Sequence, residues 1–324
     1  QAALARQRAH SDYVNSLFSD VARQSQQIDS HLLKMQGLLN YLAGAALQFL
    51  IQAPPSFEPH YAQYPYTAPG SIKSPVYGDR INLDWGTTGF SPGKSMADMN
   101  GKLQRLLPMR RLFKEVLLRS YSDHPETLSP EQIRQLIVYQ GPPIHWAHVS
   151  LEEGVIYQFP GMGWYTPGYD ARKRPWYRGT VGTHGARWGA PYFDPLTGAM
   201  LPCTFALYDQ NGRFTGVAGI DLRFQYVIDH LLAVKRPEVR RSYLLNAKGE
   251  IVIKSVDTHR ENTGSLTKGY ETPPYPDAAL QAAIKARKSG GYIEESHQLL
   301  LYSRLNTLGW YFVVESAPGE MQDG

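Results

Sequence analysis

Apolar residues recur at three- and four-residue intervals through the first fifty positions: Val14, Leu17, Phe18, Val21, Ile28, Leu32, Met35, Leu39, Leu42, Ala46 and Phe49. That spacing lines one stripe of an α-helix and is wrong for a strand, where alternate residues share a face. It predicts one helix from about Ala2 to Gln52. Ala53-Pro54-Pro55 ends it, because a proline ring clashes with a continuing helix and brings no N–H donor. The other faces are polar in the first half and nearly all apolar in the second, so the helix should start exposed and end buried.

At 324 residues the chain has room for two domains or one large one, and 42% hydrophobic content supports a sizeable core. A net charge of +4 is small for this length, so no nucleic-acid partner is expected. The single Cys203 excludes an internal disulfide and a cysteine-based zinc cluster, and its apolar neighbours mark it as a buried structural thiol. The longest apolar run, 38–51, is shorter than the ~20 residues that span a bilayer. The chain opens on Gln rather than Met, carries no signal peptide, and reads as a piece of a longer protein.

Residues 54–98 are rich in Pro, Gly, Tyr and Ser and lack periodicity, which marks an irregular insertion with one short strand at 80–84. A helix follows over 99–121, bent or divided at Pro108. Another starts at Ser129-Pro130-Glu131-Gln132, where Ser129 can cap, Pro130 suits the first position and Gln132 can reach back. From residue 144 the period changes to two. Residues 144–149 and 155–159 read as a hairpin, and 200–208 and 214–221 as a second about Asp209-Gln210-Asn211-Gly212. Residues 222–234 read as a helix and 235–241 as a charged connector. The order then partly repeats, with a hairpin over 242–253, a helix over 278–286 and strands at 291–293, 299–303 and 310–314. Two modules thus follow the helix, at about 53–236 and 240–318, each an antiparallel sheet flanked by helices in an α+β arrangement.

The chemistry concentrates in Tyr169-Asp170-Ala171-Arg172-Lys173-Arg174-Pro175-Trp176-Tyr177, with Tyr192 and Asp221 further on. The Arg174 guanidinium is a rigid fork that can hold a carboxylate through two parallel hydrogen bonds. Tyr169 and the Trp176 indole can donate to the same group, and an indole has nothing to offer an ammonium. Asp221 is the counter-charge for an ammonium, closing the apolar strand 214–220, where an unpaired carboxylate is costly. The Tyr177 and Tyr192 phenols can accept hydrogen bonds or turn a ring face to a cation. A cationic fork facing an anionic, phenol-lined end is what a free amino acid requires. Singly, these residues have plainer roles: a structural ion pair for Arg174, a helix cap for Asp221, core packing for the aromatics.

Other motifs carry less. Gly89-Phe90-Ser91-Pro92-Gly93-Lys94-Ser95 imitates a phosphate loop, but the required first glycine falls on Thr88. Asp194 in Asp194-Pro195-Leu196-Thr197-Gly198 reads as a turn residue rather than a metal ligand. His145 and His148, three apart on a strand, fall on opposite faces and do not suit a shared metal. No catalytic constellation, metal or cofactor is implied.

The long first helix, the two modules and the run Tyr-Asp-x-Arg-x-Arg-Pro-Trp-Tyr resemble the double Cache (dCache) sensor domains. These are extracytoplasmic ligand-binding regions of bacterial chemoreceptors, sensor kinases and cyclases. The resemblance is strongest over about 140–230 and fits 1–52 and 240–318 in outline. An amino-acid-binding subgroup carries Tyr, four residues, Arg, one residue, Trp-Tyr, then a Tyr and an Asp; those positions here are Tyr169, Arg174, Trp176, Tyr177, Tyr192 and Asp221. The resemblance implies a signalling helix over 1–52, a membrane-distal ligand-binding Cache module over 53–236 with the insertion 54–98, and a membrane-proximal Cache module over 240–318. It implies PAS-like antiparallel sheets in a periplasmic or extracellular ectodomain anchored by segments outside this chain, with a homodimer through the N-terminal helix among its partners. Tyr169, Arg174 and Trp176 would hold the ligand carboxylate, and Tyr177, Tyr192 and Asp221 its ammonium. A sensor for an amine or other small metabolite, or a structural ectodomain with a vestigial pocket, stays open; a simple amine would leave Arg174 without its anion. Side-chain selectivity is expected near Trp146, Phe159, Trp164 and the insertion.

Overall fold

The structure, a computed structural model, describes residues 1–61, 69–163, 165–194, 197–255 and 270–318. The first helix runs over the expected residues, α1 at Ala2–Gln52, but it does not end buried: Tyr41 is 46% and Ile51 48% exposed, so only its periodic stripe is covered. Contacts divide the described residues into a large unit, 34–223 with Tyr270, and a small unit, 1–33 with 224–255 and 271–318.

The large unit carries strands β1 (His60–Tyr61), β2 (Ile72–Lys73), β3 (Arg80–Asn82), β4 (Gly86–Phe90), β5 (Ile144–Leu151), β6 (Val155–Phe159), β7 (Gly161–Met162), β8 (Ala186–Trp188), β9 (Tyr192–Asp194), β10 (Gly198–Tyr208) and β11 (Phe214–Arg223). Its main sheet runs β1-β4-β6-β5-β11-β10-β8, with β9 also on β10, and β2-β3-β7 form a small second sheet. Pro108 divides the next helical stretch into α2 (Lys102–Leu106) and α3 (Met109–Tyr121). Ser129 opens α4 (Pro130–Arg134) with a reciprocal capping box to Gln132. The strands alternate, so the sheet has two different faces. On one, Tyr157 packs on Phe113 of α3 and its hydroxyl donates to the Leu107 carbonyl. The other presents Ile156, Met200 and Val217 to a cluster with Trp176, Tyr177 and Tyr192.

Two expectations need correction. The stretch 54–98 contains four strands rather than one, and β4 belongs to the main sheet beside β6. Gly86–Phe90 has no apolar alternation, and its pairing is set by Gln158, far along the chain, so local sequence gave no strand signal. Residues 222–234 are not one helix: Leu222 pairs with Leu201 and Ile144, β11 runs to Arg223, and α6 (Phe224–Val227) begins only then. Asp221 therefore lies inside a strand and caps nothing.

The small unit holds β12 (Val239–Leu245), β13 (Ile251–Lys254), β14 (Gly290–Glu294), β15 (Leu299–Arg304) and β16 (Tyr311–Ser316), in the order β13-β12-β16-β15-β14. β12 begins inside the expected connector. Helix α7 (Ala278–Lys285), capped by Asp277, packs Leu280, Ala283 and Ile284 on Tyr243, Leu300, Tyr302 and Val313. The first part of α1 is tied to the same unit: Tyr13 donates to the Ala317 carbonyl, Gln24 to that of Leu231, and Asp29 accepts from the Thr307 N–H. Numbered within each sheet, β6-β5-β11-β10-β8 and β13-β12-β16-β15-β14 share one order, 2-1-5-4-3. The α+β class, a long helix followed by antiparallel sheets, holds. No described helix is long and apolar enough to cross a membrane.

Candidate ligand-binding site

The aromatic-cationic run folds around Asp170. Its carboxylate accepts from the Ser91 hydroxyl at 2.7 Å and from the Arg172 backbone N–H at 3.0 Å, and pairs with the Arg172 guanidinium at 2.9 Å. The Arg172 bond leads these in holding the Asp170 carboxyl down at about 2. They fix a 3₁₀ turn at Ala171–Lys173. Arg174 then takes extended angles (φ −74°, ψ 144°), as a residue before proline must, and Pro175 opens α5 (Pro175–Arg178). Ser91 thus anchors the turn, and Gly89 is a strand residue of β4.

A cavity of about 280 Å³ lies over the sheet, and Tyr169, Arg174, Trp176, Tyr192 and Asp221 all line it. Tyr177 does not; it is buried edge-on against Phe214, and its hydroxyl has no hydrogen-bond partner among the described residues. Arg174 Nη2 donates to the Phe193 carbonyl at 3.4 Å, and its guanidinium carbon stands 5.6 Å from the Tyr192 ring centroid.

Asp221 is 2% exposed. Its Oδ1 has no hydrogen-bond partner among the described residues. Burial pushes its pKa up to about 8; Asp194 adds to the rise, and the Tyr192 hydroxyl and Arg174 oppose it. His148 Nε2 lies 3.8 Å from Asp221 Oδ2, and burial takes the His148 pKa down to about 3, so the ring is neutral. The ring rests over Gly219, where a Cβ would come 2.4 Å from Nε2; only glycine leaves it that room. Burial raises the Tyr169 and Tyr192 phenols well above their usual range, which keeps both as donors. Asp194 accepts the Thr197 N–H at 2.9 Å, as a turn residue does, and also lines the cavity.

Sequence reasoning passed over Ile156, Gln158, Met162 and Tyr165, which also line it. Period-two alternation puts Ile156 and Gln158 on one face of β6, but only pairing with β5 shows that this face is the cavity's. Trp146 packs instead in a separate core with Tyr77, Phe159 is fully buried and absent from the cavity wall, and Trp164 lies outside the described residues. His145 stacks on Tyr77 while His148 lines the cavity, so the two histidines sit in different surroundings.

Residues 155–229, which span β6, the aromatic-cationic run and β11, match the model of the methyl-accepting chemotaxis protein-like first PDC sensor domain. The fold is similar to the ligand-binding domain of the Pseudomonas fluorescens chemoreceptor CtaA in complex with L-isoleucine, with TM-score 0.50 and 15% identity, covering 97% of this chain and 95% of that one. The ligand-binding domain of the Pseudomonas aeruginosa PAO1 amino acid chemoreceptor PctC, in complex with GABA, gives TM-score 0.48 and 16% identity over 94% of this chain and 99% of that one. In sequence, the chain is 23% identical over 166 residues to the methyl-accepting chemotaxis protein McpC of Bacillus subtilis (strain 168), over 51% of this chain and 23% of McpC. It thus spans about a quarter of that relative's length. Residues 155–229 thus match a PDC sensor-domain model, and the fold is similar to that of a solved chemoreceptor ligand-binding domain.

Proposed function

We propose that this chain is the extracytoplasmic sensor of a membrane-anchored signalling protein and recognises a free L-α-amino acid in the cavity of the large unit. The observation that carries this reading is a guanidinium, Arg174, lining the same small cavity as a buried carboxylate, Asp221, one oxygen of which no described residue satisfies. Arg174, Tyr169 and Trp176 would take the ligand carboxylate. Asp221 and Tyr192 would take the ammonium, with Tyr177 packed behind them and Asp194 as a second nearby negative charge. The ammonium would stabilise the ionised form of Asp221, so binding near neutral pH would release a proton. The solved CtaA domain, whose fold this chain shares, holds L-isoleucine, which supports the same ligand class.

In this reading 53–236 is the membrane-distal module, 240–318 the proximal one and 1–52 the signalling helix. Leu33, Tyr41 and Ile51 lie exposed along α1 and suit pairing with a second copy. Calorimetric titration of ligand-stripped protein with the proteinogenic L-amino acids tests the proposal. At least one should bind near the micromolar level, roughly −8 kcal/mol, and mass spectrometry should find it unchanged after release by denaturation. Absence of binding across the whole set would overturn the reading.

A further inference from the structure

The cavity wall away from Asp221 is built on β6. Gln158 sits across from His148 of β5, which in turn sits across from Gly219 of β11. Two strand spacings, about 10 Å at the usual separation, therefore divide Gln158 from the strand that carries Asp221. An amino acid with its ammonium on Asp221 can reach this wall with its side chain.

The wall is preset. Gln158 is 8% exposed, and its carbonyl accepts the Tyr165 hydroxyl at 2.6 Å. Its amide Nε2 donates to the Met162 sulfur at 3.3 Å, and a thioether is a weak acceptor. The Tyr165 ring packs 4.8 Å from that of Tyr169 and lies on Gly89, where an added Cβ would come 2.7 Å from the ring. The glycine of the false phosphate loop is thus the seat of this tyrosine. Together the pair offers an amide N–H with a poor acceptor and a phenol oxygen with lone pairs to spare.

We infer that Gln158 and Tyr165 select the ligand side chain, favouring uncharged side chains that carry a hydroxyl or carboxamide over aliphatic ones of the same shape. The inference rests on the amino-acid reading. An oxygen on the ligand replaces sulfur as the acceptor for Nε2, and its own O–H or N–H meets the Tyr165 oxygen. An aliphatic chain leaves Nε2 with the sulfur. A basic chain brings no acceptor for Nε2, and an ionised acidic chain no donor for Tyr165.

Titration of the wild type, Gln158→Leu and Tyr165→Phe with the near-isosteric pairs L-threonine and L-valine, and L-asparagine and L-leucine, tests it, with L-alanine as the reference. The wild type should prefer the polar member of each pair by about ten-fold. Gln158→Leu should erase that preference while alanine still binds, and Tyr165→Phe should weaken it. A wild-type preference for valine and leucine, or a polar preference untouched in both variants, would overturn the selection. If not even alanine binds the wild type, the amino-acid reading itself fails and the inference with it.

Discussion

The two units run their sheets in the same strand order and then fill one slot differently. In the small unit the stretch between the second and third strands ends in α7, whose Leu280, Ala283 and Ile284 cover the sheet with apolar side chains. In the large unit the same slot holds a 3₁₀ turn and the four-residue α5, and Arg174 and Trp176 line a cavity. Each sheet's last strand bears a carboxylate: Glu315 accepts the Tyr275 hydroxyl at 2.7 Å, while Asp221 lines the cavity. Glu315 is half-exposed, whereas Asp221 is buried with an oxygen that no described residue satisfies. Strand order is thus neutral toward function, and the covering segment decides whether a face becomes core or site.

The strongest break in this contrast is Arg174→Ala or Asp221→Ala. On the proposed function each would remove one half of a desolvated charge pairing with the ligand and should weaken binding by about 2–5 kcal/mol, enough to abolish the calorimetric signal. Leu280→Ala should act the other way, costing about 3 kcal/mol of stability by denaturant titration while affinity stays unchanged. A parallel loss of affinity would show that the filled face also serves the site.

A smaller effect is expected with pH. Asp221 has its pKa near 8 when folded, against about 3.9 in an unfolded chain. The folded protein keeps a proton that the unfolded chain has lost, so this contribution is whole below about pH 4 and drains away as pH rises toward 8. His148 runs oppositely, with a folded pKa near 3 against about 6.5 unfolded; its contribution is whole above about pH 6.5 and is lost as pH falls toward 3. Between about pH 6.5 and 8 the ligand-free protein should therefore lose up to about 1.4 kcal/mol per pH unit. Asp221→Asn should flatten that slope in denaturant titrations, and an unchanged slope would mean the carboxylate is already charged. The mildest change, Tyr169→Phe, removes one neutral donor and should cost about 1 kcal/mol of binding.

Helix α1 and the break at Pro108 were legible because helical periodicity and proline act locally. So was the Ser129 cap, whose partners lie within one turn. β4 was not, because Gly86-Thr87-Thr88-Gly89-Phe90 gains its role only by pairing with β6. Five of the six residues expected to touch ligand meet at one cavity, and Tyr177 packs instead against Phe214, a partner far along the chain that no local spacing names. Gln158 and Tyr165 stayed hidden because their meaning comes from each other and from Gly89, three places the chain brings together only on folding.

The cavity also bears on how the protein melts. A packed face such as the one under α7 contributes its stability whatever the surroundings hold. On the proposed function, the hollow face would leave part of its stabilisation to a molecule from outside. At a hundred times its dissociation constant, a ligand that binds only the folded state would add about 2.7 kcal/mol. The melting temperature of this domain would then act as a gauge of how much ligand its surroundings contain.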